Sequence, residues 1–288
     1  MSMCRWWTVA VVLALGAACG GLTAGEQPPD DIKSAKSFIR DGKLDLDAAV
    51  EYFEDLYRSD SSISVAELTV VRPRNTRTLR MKSWTRGEEK ALVVIQSPPR
   101  EEGTATLKVE KNLWNYFPRI RRTIRIPPSM MQAAWMGSDF TNDDLVRESS
   151  YSEDYTYELV GQSKDPEGWL IRFTAKPDVV GLWNSLELIV SQDGTIPLKA
   201  RYYDRKDRLA RVMLWDEVKV FDDRRIPAHM TLVPVDKNKD WAEKHEDKTL
   251  PEERTEYPYR TEMMYYDIDF DVNVPESTFS LSRLEQKR

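Results

Sequence analysis

Residues 113–145 read LWNYFPRIRRTIRIPPSMMQAAWMGSDFTNDDL. The segment opens as an aromatic strand, gathers Arg119, Arg121, Arg122 and Arg125 within seven residues, breaks at Pro127-Pro128, resumes as an apolar stretch and ends in acids. Two consecutive prolines lack the backbone donors a sheet ladder needs, so the strand stops there. Large soft side chains stand beside a cationic strip: Trp114, Phe117, Met130, Met131, Trp135, Met136 and Phe140. They suit a surface that meets an apolar molecule with a charged head, and each also suits a plain core.

Outward from this window the texture is β. Short runs of alternating polar and apolar residues are cut by turn residues such as Arg86-Gly87, Asp193-Gly194 and Asp222-Asp223. The pattern predicts about eleven strands, over 64–73, 76–86, 89–97, 103–110, 112–118, 154–163, 168–176, 180–192, 197–204, 208–221 and 225–235, with a further candidate at 257–271. Tight turns imply antiparallel neighbours, because parallel strands need helical crossovers. Helical signal is confined to two places. Leu46, Ala49, Val50, Phe53, Leu56 and Tyr57 recur at helical spacing behind Asp45 or Asp47 as N-cap, predicting a helix over 46–58. The other place is the insertion at 127–147, where Met130, Met131, Trp135 and Met136 fit one side of a short helix. The fold class is mainly β with a few helices, α+β. A sheet this wide must curl, and these two pieces are the covers available for its concave face.

The runs QSPPREEGTATLKVEKNLWNYFPRIRRTIRI (96–126), MGSDFTNDDL (136–145), YELVG (157–161), RYYDRKDRLARVMLWDEVKVFDDRRIPAHMTL (201–232) and FSLSRLE (279–285) resemble the LolA-like outer-membrane lipoprotein-sorting proteins, in their little-characterised bacterial branch. The resemblance covers nearly the whole chain after its first segment. It implies an incomplete antiparallel β-barrel with a helical lid over an apolar cavity, a lipoprotein or lipid cargo, and an inner-membrane transporter for loading. Long strands and a charged excursion at 236–256 depart from the better-known carriers, so cargo identity is not carried over.

The N-terminus has the pattern of an export signal. Arg5 provides a positive start, Thr8 to Ala18 an apolar stretch too short to span a bilayer, and Leu22-Thr23-Ala24 a cleavage site. The expected organisation is a signal peptide at 1–24, a polar linker at 25–43 and one domain at 44–288. Cys4 and Cys19, the two cysteines, both fall within the signal, so cleavage would leave no thiol. LGAAC-G is also a near-lipobox with Leu15 displaced by one place, which makes a lipid anchor at Cys19 the alternative. The net charge of −6 argues against nucleic acid as a partner.

Residues for catalysis are scarce. Of two histidines, His245 lies in the charged excursion and His229 has no recognisable partner near it in sequence. Asp267, Asp269 and Asp271 mimic the start of a calcium loop, but Val272 and Thr278 stand where glycine and glutamate are required. Asp139, Asp143 and Asp144 are read as helix-capping acids, with Thr141 and Asp144 at capping-box spacing. The expectation is therefore a non-enzyme without cofactor or metal: a periplasmic carrier whose apolar cavity or lid is formed by Trp114, Phe117, Met130, Met131, Trp135, Met136, Phe140 and Trp183. Arg119, Arg121, Arg122 and Arg125 would form a cationic rim for lipid phosphate, an acidic partner or transient membrane contact. The alternative is a non-catalytic envelope scaffold or transporter-associated adaptor with a filled core.

Overall fold

A computed structural model describes residues 37–57, 59–146, 151–177, 183–239 and 257–285. The expected signal peptide, Cys19, residues 25–36 of the linker and most of the charged excursion lie outside the described residues. The last part of the expected linker is built into the fold instead. Strands β1 (Ile39–Arg40) and β2 (Lys43–Leu44) form a small hairpin. Its Phe38, Ile39 and Leu44 join the main core, because they carry enough apolar surface to be buried. Helix α1 (Leu46–Glu54) follows, one turn shorter than expected, with the Asp45 carboxylate accepting from the Ala48 N–H.

The rest is one antiparallel sheet. Its first arm is β3 (Ser61–Arg72), β4 (Asn75–Arg86), β5 (Lys90–Ser97), β6 (Ala105–Val109), β7 (Asn112–Phe117) and β8 (Arg122–Arg125). Two short α-helices, α2 (Asn142–Val146) and α3 (Tyr151–Asp154), lie in the connection to the second arm. That arm is β9 (Tyr155–Lys164), β10 (Glu167–Ala175), β11 (Trp183–Val190), β12 (Pro197–Asp204), β13 (Leu209–Phe221), β14 (Arg224–Pro234) and β15 (Arg260–Phe270). Helix α4 (Leu281–Glu285) closes the described chain. The order across the sheet is β8-β7-β6-β5-β4-β3-β15-β14-β13-β12-β11-β10-β9, thirteen strands against about eleven expected. The sheet does not close, since its edge strands β8 and β9 do not pair, and it is the incomplete barrel that was expected.

The strand missed in the sequence is β8. Its residues, RTIR, are largely exposed on both faces at the sheet edge, so no apolar alternation marks it. Arg121 stands at φ 48 in the turn between β7 and β8, so the cationic strip is broken by a turn and does not run along one strand.

The topology explains the lid. Each arm is a meander that starts or ends in the middle of the sheet, where β15 pairs with β3. The two edges, β8 and β9, are consecutive in the chain. The segment between them must pass from one edge to the other, and it crosses the open side of the curl.

Inside, α1 lays Ala49 and Val50 against Leu186, Leu188, Tyr202 and Met213 of the second arm. Trp135 of the connection lies on Ala66, Leu68, Leu79, Met81 and Ile95 of the first arm. On the outer face of the first arm, the C-terminal Val274, Phe279 and Leu284 pack on Leu92, Ala105 and Leu107.

Candidate functional site

The lid is held by polar contacts at three points, and the short apolar helix expected over Met130–Met136 is not formed. Residues 128–137 form two single 3-10 turns, Pro128–Met130 and Trp135–Gly137. The first anchor is Trp135, 2% exposed, whose indole N–H donates to the Thr106 hydroxyl at 3.0 Å. Thr106 in turn donates to Asn115 Oδ1 at 2.7 Å. Next to it Met136 (φ 51) and Gly137 (φ 71) turn the chain, and the Met136 carbonyl accepts from the Arg77 guanidinium.

The second anchor is Asp139, whose side chain is 1% exposed. Arg72 reaches it with two bonds, at 2.9 and 3.0 Å; Lys237 Nζ lies 2.7 Å away and the Thr261 hydroxyl donates at 2.7 Å. The third is the predicted capping box. The Thr141 N–H donates to Asp144 Oδ2 at 2.8 Å, and the Asp144 N–H to the Thr141 hydroxyl at 3.1 Å.

Asp144 does more than cap. Both its oxygens accept from Arg211 of β13, at 2.8 Å each, and the arginine side chain is 7% exposed. The guanidinium carbon also lies 4.4 Å from the Trp183 ring centre and 4.3 Å from that of Tyr202. Burial alone would raise the Asp144 carboxyl, but the Arg211 charge and the hydrogen bonds from Arg211 and Thr141 outweigh it and hold it below its ordinary value. Burial likewise would lower Arg211, and Asp144 more than reverses this. Tyr151 is raised well above the ordinary phenol value by Tyr202 beside it and by burial.

Between the lid, the end of α1 and the inner face of β11 to β15 lies a cavity of about 290 Å³. Its walls are mainly apolar and aromatic, among them Phe53, Tyr57, Met213, Trp215, Met263 and Tyr265, with the Asp144–Arg211 pair on one side. Of the residues expected to line a cavity, Trp135, Phe140 and Trp183 do so. Trp114 points to the outer face and packs with the C-terminal segment, because it pairs with Leu107 on that side of the sheet. Met130 is 49% exposed, and Met130 and Met131 serve the lid through their carbonyls, which accept from Asn142 Nδ2 and the Asp143 N–H. Phe117, Met136 and Arg119 line a second, more open cleft of about 350 Å³ with Arg77, Arg100 and Glu101. Arg121 is in an exposed turn, and Arg122 and Arg125 are exposed on β8.

Arg211 is the charged cavity-lining residue that sequence reading passed over. The signal was present: Leu209, Arg211, Met213 and Trp215 share one face of a strand, so a charge stands among inward-facing apolar residues. His229 does have a partner, Asp216 Oδ1 at 3.3 Å, and burial lowers its imidazole pKa. Asp216, Glu217 and His229 offer ligand atoms within 4.8 Å of one another. Alternation with the cavity-lining Trp215 and Met230 puts Asp216 and His229 on the opposite face of the sheet. The base of the charged excursion is also tied down, since buried Asn238 donates to the Pro234 and Tyr259 carbonyls at 2.8 Å. No helix among the described residues is long and apolar enough to cross a membrane.

A family model described as "Uncharacterized protein" matches residues 87–286. The comparison with curated proteins gave no match. Among solved structures, a DUF1329 family protein from Desulfovibrio piger superposes with a TM-score of 0.67 at 23% identity, covering 83% of this chain and 96% of that one. A domain ascribed to outer membrane lipoprotein sorting, from Vibrio parahaemolyticus, gives 0.64 at 20%, covering 84% and 98%. A LolA superfamily protein from Nitrosomonas europaea gives 0.62 at 18%, covering 82% and 98%. The family model covers more than half of the chain, so the chain belongs to that uncharacterised family, and its unclosed sheet has the fold of the DUF1329 and LolA superfamily structures on which it superposes.

Proposed function

We propose that this protein is a periplasmic carrier that holds acyl chains, of a lipoprotein or of another lipid, in the cavity under the lid and moves them between the envelope membranes. The observation that carries the reading is the cavity itself: about 290 Å³ lined mainly by apolar and aromatic side chains under the lid. Ligand pockets run from roughly 300 to 1,000 Å³, so the closed form suits part of one chain. Burying about six methylenes at about 0.8 kcal/mol each contributes about 5 kcal/mol. Loading more requires the lid to separate from Arg211, which makes the buried ion pair the barrier to opening.

Export by the segment at 1–24 would deliver the carrier to the periplasm, and lipidation at Cys19 would tether it instead. The hairpin turn between β7 and β8 suits transient membrane contact. The turn carries Arg119 and Arg121 beside Ile120, and the adjoining β8 carries Arg122 and Arg125 beside Ile124, the two isoleucines being 59% and 44% exposed. An inner-membrane transporter is the partner proposed for loading. A non-catalytic role fits a cavity whose ionisable groups include a paired aspartate and arginine and tyrosines held in their neutral form.

Organic extraction and native mass spectrometry of protein purified from envelope fractions test this directly. Co-purifying lipid, or binding of a fluorescent fatty-acyl probe by extracted protein, is expected. Lipid-free protein that also binds no probe would overturn the carrier in favour of an envelope scaffold.

A further inference from the structure

On the outer face of the sheet, behind the cavity wall, β13 and β14 bring Asp216, Glu217 and His229 together. Asp216 and His229 are register partners, and His229 Nδ1 lies 3.3 Å from Asp216 Oδ1. The next register pair is Val218 with Pro227, and no pair is formed at Glu217 between them. Strict alternation would turn Glu217 away from Asp216. Its backbone instead stands at φ 49, a left-handed conformation uncommon for glutamate, and its carboxylate stays with the other two side chains. One ligand atom from each of the three lies within 4.8 Å of the others.

These separations suit a metal ion. Bonds of about 2.0–2.1 Å place adjacent ligands about 2.9–3.4 Å apart. The Asp216–His229 pair already has that spacing. The Asp216 and Glu217 side chains are 42% and 49% exposed, so both can rotate to close the rest, while His229 at 10% is the fixed ligand. Glu262, Lys219 and Arg260 also act electrostatically on the imidazole. Lys219 lies 3.8 Å from Glu217, and Arg260 lies 2.6 Å from Glu262. Three carboxylates thus stand with two cations, and the surplus is negative. Magnesium and calcium prefer oxygen ligands alone, whereas an imidazole with two carboxylates suits zinc and related ions. The geometry points to a site for one divalent ion of the zinc class, held by Asp216, Glu217 and His229, with its remaining positions open to solvent. The ion replaces Lys219 as the partner of Glu217 and clamps β13 to β14. Trp215 and Met230 line the cavity from the other face of the same two strands, so the clamp fixes the spacing of that part of the wall. The site stands whether or not the cavity carries a lipid.

The test uses full-length protein without a histidine tag, stripped with a chelator and titrated calorimetrically with zinc, magnesium and calcium chloride at neutral pH. Zinc is expected to bind saturably, one ion per chain, and neither of the other ions to displace it. Glu217→Gln and Asp216→Asn keep the shape of the side chain and remove a charged ligand. Each should weaken zinc binding by at least about tenfold, since even groups that only orient a ligand are worth that much. Zinc at about a hundred times its Kd should raise the melting temperature of wild type by roughly 5–10 °C, and at the same concentration should shift Glu217→Gln much less. Full zinc affinity in both variants would place the ion elsewhere on the chain and overturn the site. Displacement of zinc by magnesium or calcium would reduce the cluster to an ordinary acidic surface, which overturns it as well. Wild type that takes up no zinc saturably would also overturn it, and these last two outcomes are decided without any variant.

Discussion

Replacing Asp144 by asparagine isolates the buried ion pair, because the new side chain keeps the shape and can still accept from the Thr141 N–H. What is lost is the charge opposite Arg211, whose side chain is 7% exposed. Removing one partner of a buried pair costs about 3–5 kcal/mol, most of it from the stranded charge. At roughly 2–4 °C per kcal/mol for a chain of this size class, the melting temperature should fall by about 6–20 °C. Arg211→Met should also destabilise, since it strands Asp144. The double variant Asp144→Asn with Arg211→Met should lie well above the sum of the two, because no uncompensated charge remains. Thermal and urea unfolding of the four proteins give the coupling energy. If Asp144→Asn costs less than about 1 kcal/mol, Arg211 is solvated as a surface pair would be. The dry cavity wall that the site depends on would then be refuted.

Acid should weaken the protein. Asp144 and Asp193 are both held below the ordinary carboxyl value, so the stability they contribute is present above the unfolded pKa, about 3.9, and is lost as pH falls through their lower folded values. Melting temperature should drop below about pH 4, and less steeply in Asp144→Asn. Trp135→Ala empties a buried site and leaves the Thr106 hydroxyl short of a donor, so it should cost about 3–5 kcal/mol by denaturant unfolding. Gly137→Ala forces a β-carbon into φ +71 and to 3.3 Å from the Arg77 guanidinium. It should lower stability by about 1 kcal/mol or more, measurable as a melting shift. Changing Arg119, Arg121, Arg122 and Arg125 to glutamine should weaken co-sedimentation with anionic vesicles at low salt by about 1 kcal/mol per arginine. Unchanged binding would remove the hairpin from the membrane-contact reading.

The position of the lid pins has a consequence for how the carrier would work. Asp139 and Asp144 sit five residues apart, and each enters a buried ion pair on a different arm of the sheet, with Arg72 on β3 and Arg211 on β13. The lid therefore ties the two arms together across the open side. Asp139 also holds Lys237 and Thr261 of the second arm, so releasing the Asp144 pin alone leaves the segment tied to both arms.

The local structure was written in the sequence. Twelve of the sheet's strands fall within a few residues of where alternation and turn residues put them, and Asp45 and Thr141 cap the helices they were expected to cap. These features depend on residues close in the chain, through backbone geometry and hydrogen bonds of short range. The fold class followed from them, since a wide antiparallel sheet must curl and cover its inner face. Tertiary structure alone decided which face is the inner one. Trp114 and Trp135 are equally aromatic, yet one packs outside under α4 and the other inside on Leu68. Alternation divides a strand into two faces without saying which is concave; that depends on how β15 joins β3, far away in the chain, and on where the edge-to-edge connection crosses. The same holds for Asp144 and Arg211. Each has a local reading, as a cap and as a charge on a strand, and 67 residues separate them. Only the curl of the sheet brings them to 2.8 Å in a largely buried place, where screening by solvent is weak and their pairing shapes the site.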